Sequence, residues 1–266
     1  MSTERPLLSL IIPAYNEAKP QRLPASLDAI TAFVAQQDFA IEVIIVDNNS
    51  NDATPQIAAA AADAYPYIRV LTEIRQGKGA AVKTGMGAAE GEYLFICDAD
   101  LSMPIEEVLK FLPPLVPECD IAIGSRAAPG AQRIDEPEYR HIMGRVFNGI
   151  VRVIAIGGIG DTQCGFKSFR RDVARDLFPH QTIDGWAFDV ELLFIAQQRG
   201  YSIREIPITW IYKPQSKISP LRDALSMLTE TLRIRWNGMR GLYQKSPDYT
   251  QAASQSFSGI ESEQHS

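Results

Sequence analysis

The amino-acid sequence predicts an α/β fold, a mostly parallel sheet with helices on both faces. Three observations lead there. Runs rich in Val, Ile and Leu recur along the first half of the 266-residue chain. Segments with helical spacing separate them. The runs are apolar at consecutive positions rather than at alternate ones, the mark of strands covered on both faces. In such sheets ligands bind beyond the carboxyl ends of the strands, so the residues that close each run carry the functional information.

The elements follow in order. Residues 8–13 (LSLIIP) form the first expected strand, which exits through Pro13, Ala14, Tyr15, Asn16 and Glu17 into a helix over about 22–37. Residues 41–46 (IEVIIV) form the second, which exits at Asp47 and Asn48. Asp52 or Thr54 can cap the helix over 55–64, with Pro55 in its first turn. A third strand over 68–72 leads through RQGKGAA to an Ala/Gly-rich helix over 79–89. A fourth over 92–97 (EYLFIC) runs into Asp98-Ala99-Asp100, with a helix after Pro104. A fifth over 120–125 ends at Arg126. Polar and charged side chains therefore collect on one rim.

After Arg126 the pattern changes. The Pro, Gly and charge of 127–137 predict a mobile loop. Ile142, Met143, Val146, Phe147, Ile150, Val151 and Ile154 then recur at helical spacing, with Arg145 and Arg152 on the other side. A further helix over 219–243 places Leu221, Leu225, Leu228 and Leu232 inside and Arg222, Arg233, Arg235 and Arg240 outside. Residues 1–243 read as one domain, whose pattern changes between about 7–126 and about 127–243. The polar tail, 244–266, reads as disordered.

Charge is uneven. The net charge is −6, which does not point to nucleic acid as a partner. Residues 138–243 nevertheless hold 15 Lys/Arg against 10 Asp/Glu, so the rest of the chain carries −11. That basic half suits anionic lipid or phosphate, or is simply a set of solvated helix faces. Cys97, Cys119 and Cys164 make no CxxC pair and predict free thiols in a reducing compartment. No apolar run approaches the roughly 20 residues that span a bilayer.

Asp98-Ala99-Asp100 is the sharpest motif. Two carboxylates one residue apart repel unless a cation lies between them. At the end of a strand they can face one hard cation, Mg2+ or Mn2+, which completes its shell with substrate phosphates. Alternatively Asp100 or Ser102 caps the helix that starts at Pro104. The Gly77-Lys78-Gly79 turn matches neither a Walker motif nor GxGxxG. Its glycines either admit a ligand's phosphate beside Lys78 or let a helix start close to the sheet. His141, His180 and His265 lack metal spacing, and no GxSxG is present.

Taken in order, IIPAYNE, VDNNSNDAT, GKGAA, DADLS and GSR resemble a family-2 glycosyltransferase of the GT-A (nucleotide-diphospho-sugar transferase) fold, and the match runs over about 8–243. GDTQCGFKSF, GWAFDVELLFIA, IPITW and SKIS resemble the polyprenyl-phosphate sugar synthase branch, and the DTQCGFK wording leans toward its dolichyl-phosphate glucosyltransferases. The resemblance implies that Pro13, Tyr15, Glu17, Val46, Asp47 and Asn48 line the nucleotide pocket, with Lys78 near the phosphates. It implies that Asp98, Ala99 and Asp100 hold the metal and the donor's diphosphate and ribose. Arg126 and Arg140 would grip an acceptor phosphate, with Lys213 and Lys217 reaching the same region. The family usually has two Asp where this chain has Asp47-Asn48, which leaves the nucleotide preference open.

The implied reaction is inverting transfer of a hexose, glucose from UDP-glucose, to a polyprenyl or dolichyl phosphate in a membrane. A phosphate monoester, with a second pKa near 6, attacks without a general base. GDP-mannose with the same acceptor is one alternative. A hydroxyl acceptor is another, with Asp189 or Glu191 as base. A nucleotidyltransferase and a silent sugar-nucleotide binding module are more distant ones. The resemblance also implies a peripheral protein on the cytoplasmic face of a membrane, contacting lipid through 140–154 or tethered by a membrane-protein partner. That helix is otherwise a core helix.

Overall fold

The computed structural model describes residues 5–138, 144, 149, 151, 154–213 and 220–244. β1 (Leu8–Ala14), β2 (Ile41–Asp47) and β3 (Ile68–Thr72) succeed one another through α1 (Leu23–Val34) and α2 (Thr54–Ala64). The chain returns along α3 (Lys78–Ala88) to β4 (Tyr93–Ile96), which pairs with the free edge of β1. A 3-10 helix, Ile105–Phe111, leads to β5 (Ile121–Ser125). Then come β6 (Gln132–Ile134), β7 (Lys167–Arg170), α4 (Arg171–Leu177), a 3-10 turn at Phe178–His180 and α5 (Phe188–Gln198). β8 (Ile203–Pro207), β9 (Thr209–Ile211) and α6 (Pro220–Met239) complete the described chain.

The main sheet has the order β3-β2-β1-β4-β7-β5-β8. β7 is antiparallel to both its neighbours, and the remaining pairs are parallel. The central strands are buried from end to end, as their Ile and Val content requires when helices cover both faces. Side chains alternate between the two layers. Ile11, Ile44 and Val46 pack toward α3 and α5, whereas Leu10, Ile12, Val43 and Ile45 pack toward α1. α1 meets the sheet through Leu23, Leu27, Ile30 and Phe33, the spacing of one helical face.

The strand expectations hold to within a residue or two at their ends. Three others are corrected. The 127–137 segment contains β6, which pairs in parallel with β9, so it is built into a second small sheet. The helix after Pro104 is a 3-10 helix. Leu232, expected inside, is 53% exposed, and α6 buries Thr231, Ile234 and Asn237 instead. Apolar residues occur on both sides of this helix, Ile234 buried and Trp236 and Met239 exposed, so hydrophobicity alone did not mark its inner face. The helix expected over 142–154 lies mostly outside the described residues, although Gly144, Gly149, Val151 and Ile154 are helical and Val151 is buried. The tail beyond Gln244 also lies outside them. Among the described residues no helix is long and apolar enough to cross a membrane.

One buried carboxylate ties the last helices to the rest. Glu191, fully buried on α5, accepts hydrogen bonds from the Thr182 and Ile183 amides at 2.9 and 2.8 Å. The Thr182 and Tyr243 hydroxyls donate to its other oxygen at 2.6 and 2.7 Å. Four donors fill this group, so it clamps α5 to the 182–183 segment and to Tyr243. Glu191→Ala strands buried donors and should lower unfolding free energy by about 3 kcal/mol. Denaturant titration checks this, and a loss below about 1 kcal/mol would reject the clamp.

Candidate active site

The chain leaves β1 toward β2 and leaves β4 toward β5, so the strand order reverses between β1 and β4. Crevices at such reversals take ligands. Ile11 pairs with Ile96 and Ala14 with Asp47, which brings the exits of β1, β2 and β4 to one level. Three residues at these exits adopt left-handed backbone: Asn16 (φ 52°), Asn49 (φ 58°) and Leu101 (φ 46°). Asn tolerates that region, whereas Leu does so at a cost. The bend at Leu101 lets the Ser102 amide and hydroxyl return to Asp100 Oδ1 at 3.1 and 2.9 Å.

Each carboxylate of the Asp98-Ala99-Asp100 pair faces a cation of the chain. Lys78 Nζ lies 2.5 Å from Asp98 Oδ1. Arg22 lies 3.4 Å from Asp100 Oδ2 while its guanidinium is gripped by Glu17 through Nε and, at 2.9 Å, through Nη2. The Ala99 carbonyl accepts from Ser26 Oγ at 2.9 Å, which seats the loop on α1. Burial and then the charge of Asp98 push the Asp100 carboxyl above its ordinary range, against the pull of Arg22 and Ser102. Burial pushes the Lys78 ammonium down, but Asp98 and Asp189 outweigh it and hold it above its ordinary value. Neither Asp100 nor Ser102 caps the following helix, whose N-cap is Pro104 without a side-chain bond; Ser102 instead closes an Asx-type turn on Asp100. Among the described residues no group of three or more His, Cys, Asp or Glu encloses a metal site. The pair fits a hard divalent ion only if a ligand's oxygens complete the shell.

The glycines of the GKG turn serve packing. A Cβ on Gly77, which adopts φ 142°, would sit 2.1 Å from the Asp184 carbonyl, and one on Gly79 would sit 2.6 Å from the Ile183 carbonyl. Asn48 locks the same turn. Its amide nitrogen donates to the Glu73 and Arg75 carbonyls at 3.0 and 2.6 Å, and its oxygen accepts the Gly77 amide at 2.8 Å. The Asn48 side chain is thus engaged with this loop on both its polar atoms. The Val46 side chain is fully buried in the core. Asp47 behaves differently. It is buried, takes the Ser50 amide at 3.3 Å on Oδ2, and its Oδ1 has no hydrogen-bond partner. Pro13 is half-buried, and Tyr15, 39% exposed, stands at the mouth.

On the β5 side, Arg126 donates through Nε and Nη2 to Asp161 at 2.7 and 2.9 Å, and its guanidinium stacks 5.3 Å from the Trp210 ring centroid. Burial pushes the Asp161 carboxyl up, but Arg126 outweighs it and holds it at about 2. Arg126 is a cation fixed by Asp161 and Trp210. Lys213 is half-buried just past β9, whereas Arg140 and Lys217 lie outside the described residues. Deeper in, fully buried Lys167 pairs with Asp189 at 2.8 Å. Sequence reasoning missed Arg22, Asp161 and Lys167 as site residues. Asp161 and Lys167 stand inside the GDTQCGFK motif, which was signal enough; Arg22 had none beyond its place five residues after Glu17.

A doubly wound sheet with hard carboxylates at its reversal point defines a nucleotide-handling class of α/β enzyme. The chain belongs to glycosyl transferase family 2, whose model matches residues 9–178. It is 40% identical to the dolichyl-phosphate beta-glucosyltransferase of Drosophila melanogaster over 83% of this chain and 72% of that one. It is 35% identical to that of Homo sapiens over 89% of this chain and 77% of the other. In fold it is similar to glucosyl-3-phosphoglycerate synthase from Mycobacterium tuberculosis, solved in complex with Mn2+, UDP-glucose and glycerol 3-phosphate. That likeness has a TM-score of 0.62 at 18% identity and covers 88% of this chain and 79% of that one. The protein is a glycosyltransferase with the GT-A fold.

Asn48→Asp sets a carboxylate against two carbonyls and removes both donors. Amide hydrogen exchange over 73–79 should rise, with a stability loss of about 1–3 kcal/mol. Unchanged protection over that stretch would show that the amide does not hold the loop.

Proposed function

We propose that the protein transfers glucose from UDP-glucose to a polyprenyl or dolichyl phosphate, with inversion at the anomeric carbon. The observation that carries this reading is an acid pair paired with Lys78 at the exit of β4 together with a guanidinium, Arg126, held by Asp161 at the exit of β5 in the same sheet. The printed names of the relatives agree with it. Residues 1–243 are proposed as one catalytic domain, whose nucleotide half (about 7–126) and acceptor half (about 127–243) share the main sheet through β5, β7 and β8.

Each residue has a defined task. Asp47 Oδ1, buried and lacking a donor, suits the ring N–H of a nucleobase. Tyr15 and Pro13 flank that position. Asp98 and Asp100 would hold Mg2+ or Mn2+, whose charge offsets that gathering on the departing diphosphate. Arg126, with Arg140 and Lys217 proposed beside it, orients the acceptor phosphate and lowers the repulsion between two anions. The phosphate oxygen forms the new bond as the nucleoside diphosphate leaves from the opposite face. No base is required. Of the two carboxylates on which a hydroxyl acceptor would rely, Glu191 accepts from four donors, and Asp189 is ion-paired with Lys167 at 2.8 Å although its Oδ1 has no hydrogen-bond partner.

A lipid acceptor needs a membrane surface, and α6 supplies a face for one. Leu232, Trp236 and Met239 recur at helical spacing and are 53%, 58% and 66% exposed. Leu242, in the turn after the helix, is 51% exposed. Arg233, Arg235 and Arg240 are exposed around them, and no Asp or Glu occurs from 231 to 244. An apolar stripe ringed by arginine suits an anionic lipid surface. The cytoplasmic face is proposed, which accords with three free thiols.

Two experiments test the reading. Purified protein offered radiolabelled UDP-glucose or GDP-mannose with a short polyprenyl phosphate should label the lipid from UDP-glucose, and Asp100→Ala should abolish transfer. Labelling from GDP-mannose alone, or only of a hydroxyl acceptor, would replace the proposal. In a vesicle sedimentation assay at low salt, anionic vesicles should pellet the protein, and Trp236→Ser with Met239→Ser should release it. Equal pelleting of the double variant would remove α6 from the membrane contact.

A further inference from the structure

The acid pair at the exit of β4 is already neutralised from within the chain. Asp98 offers one oxygen outward. Its Oδ2 lies against Gly165, where a Cβ would come within 2.1 Å of it. Its Oδ1 holds Lys78 Nζ at 2.5 Å. A divalent ion on Oδ1 at about 2.1 Å would bring two cations into near contact. The ion and the ammonium therefore compete for the same oxygen.

The two built-in cations are not alike. Glu17 grips two nitrogens of Arg22, so that guanidinium stays in place and screens Asp100 from the side. The start of α3 is also fixed, with the Gly77 amide on Asn48 and the Gly79 amide on the Asp184 carbonyl, each at 2.8 Å. Lys78, by contrast, is held by the single ion pair to Asp98, with its ammonium 5.6 Å from the Trp186 ring centroid. Trp186 is 40% exposed and stands at the open side.

We infer that Lys78 is an exchangeable counter-ion: it holds Asp98 until a divalent ion arrives with a nucleotide diphosphate, and its ammonium then passes to the phosphate oxygens. The inference rests on the glycosyltransferase reading of this crevice. A bare ion has to expel the ammonium with no new anion to receive it. An ion that enters with a diphosphate brings the receiving oxygens and completes its own shell. Metal and nucleotide binding are then coupled through one side chain, and the protein resists loading by metal alone. By linkage, the metal strengthens nucleotide binding by the same factor.

Electron paramagnetic resonance of free Mn2+ measures the exchange without turnover. For the wild type, UDP should strengthen Mn2+ binding by about 10- to 100-fold. Lys78→Met should bind Mn2+ alone at least about fivefold more tightly and lose most of the UDP enhancement. Lys78→Arg should keep the enhancement. A second reading needs no Lys78 variant. Mg2+ with UDP should change the tryptophan emission of the wild type as the ammonium leaves the indole, and Trp186→Phe should abolish that change. Mn2+ affinity unaltered in Lys78→Met, or an emission change that survives in Trp186→Phe, would overturn the exchange while leaving the enzyme reading intact. A wild type that binds neither UDP nor Mn2+ in any combination would overturn both.

Discussion

Two carboxylates leave a buried strand one residue apart, and the rest of the crevice is arranged around keeping them there. Unscreened, they would repel each other and be driven toward protonation by burial. The chain answers with Lys78 on one and Arg22 on the other. Those cations come from the starts of different helices on opposite faces of the sheet, since α1 follows β1 and α3 follows β3. The acid pair therefore ties both helical layers to the reversal point of the sheet. Glu17, Ser26, Ser102 and Gly165 then fix where each oxygen points.

The same device recurs around the crevice. Arg126 is held by Asp161, and Lys167 by Asp189. Buried pairs of this kind contribute little net stability against apolar replacements, because desolvation offsets the attraction. Breaking one leaves a buried charge unpaired and is costly. Their physical effect is to hold charged groups at fixed angles in a medium where those groups act strongly. Arg126, fixed in this way by Asp161, needs little reorganisation to meet an anion, which is what electrostatic positioning demands.

Much of the fold was legible because its strands are chemically simple. Runs such as 8–13 and 41–46 are Val/Ile/Leu on both faces, and only a parallel sheet covered by helices buries them. Their exits were legible for the same reason, since Asp47, Asp98 and Arg126 are the first charges after each run. What escaped were features set by tertiary distance. Lys78 and Asp98 are 20 residues apart, and Arg126 and Asp161 are 35 apart. No local pattern links such pairs. β6 escaped because a three-residue strand carries almost no periodic signal. Leu232 misled because α6 is apolar on two faces, one packed on α5 and one open to its surroundings. The GKG glycines read equally as a phosphate cradle or as close packing, and only the position of Ile183 and Asp184 decides between them.

Asn48 carries that lesson into chemistry. As a sequence feature it was a departure from a paired acid and suggested altered contact with the nucleotide. In the fold it needs two donors for the Glu73 and Arg75 carbonyls and one acceptor for the Gly77 amide. A primary amide meets that demand; a carboxylate, which only accepts, does not. The amide thus fits the loop that delivers Lys78 to Asp98. Its neighbour Asp47 is different, since its buried Oδ1 lacks a hydrogen-bond partner. One amide beside one acid separates two environments: Asn48 is engaged on both its polar atoms and sets the position of the cation that answers the acid pair, whereas Asp47 keeps an open acceptor.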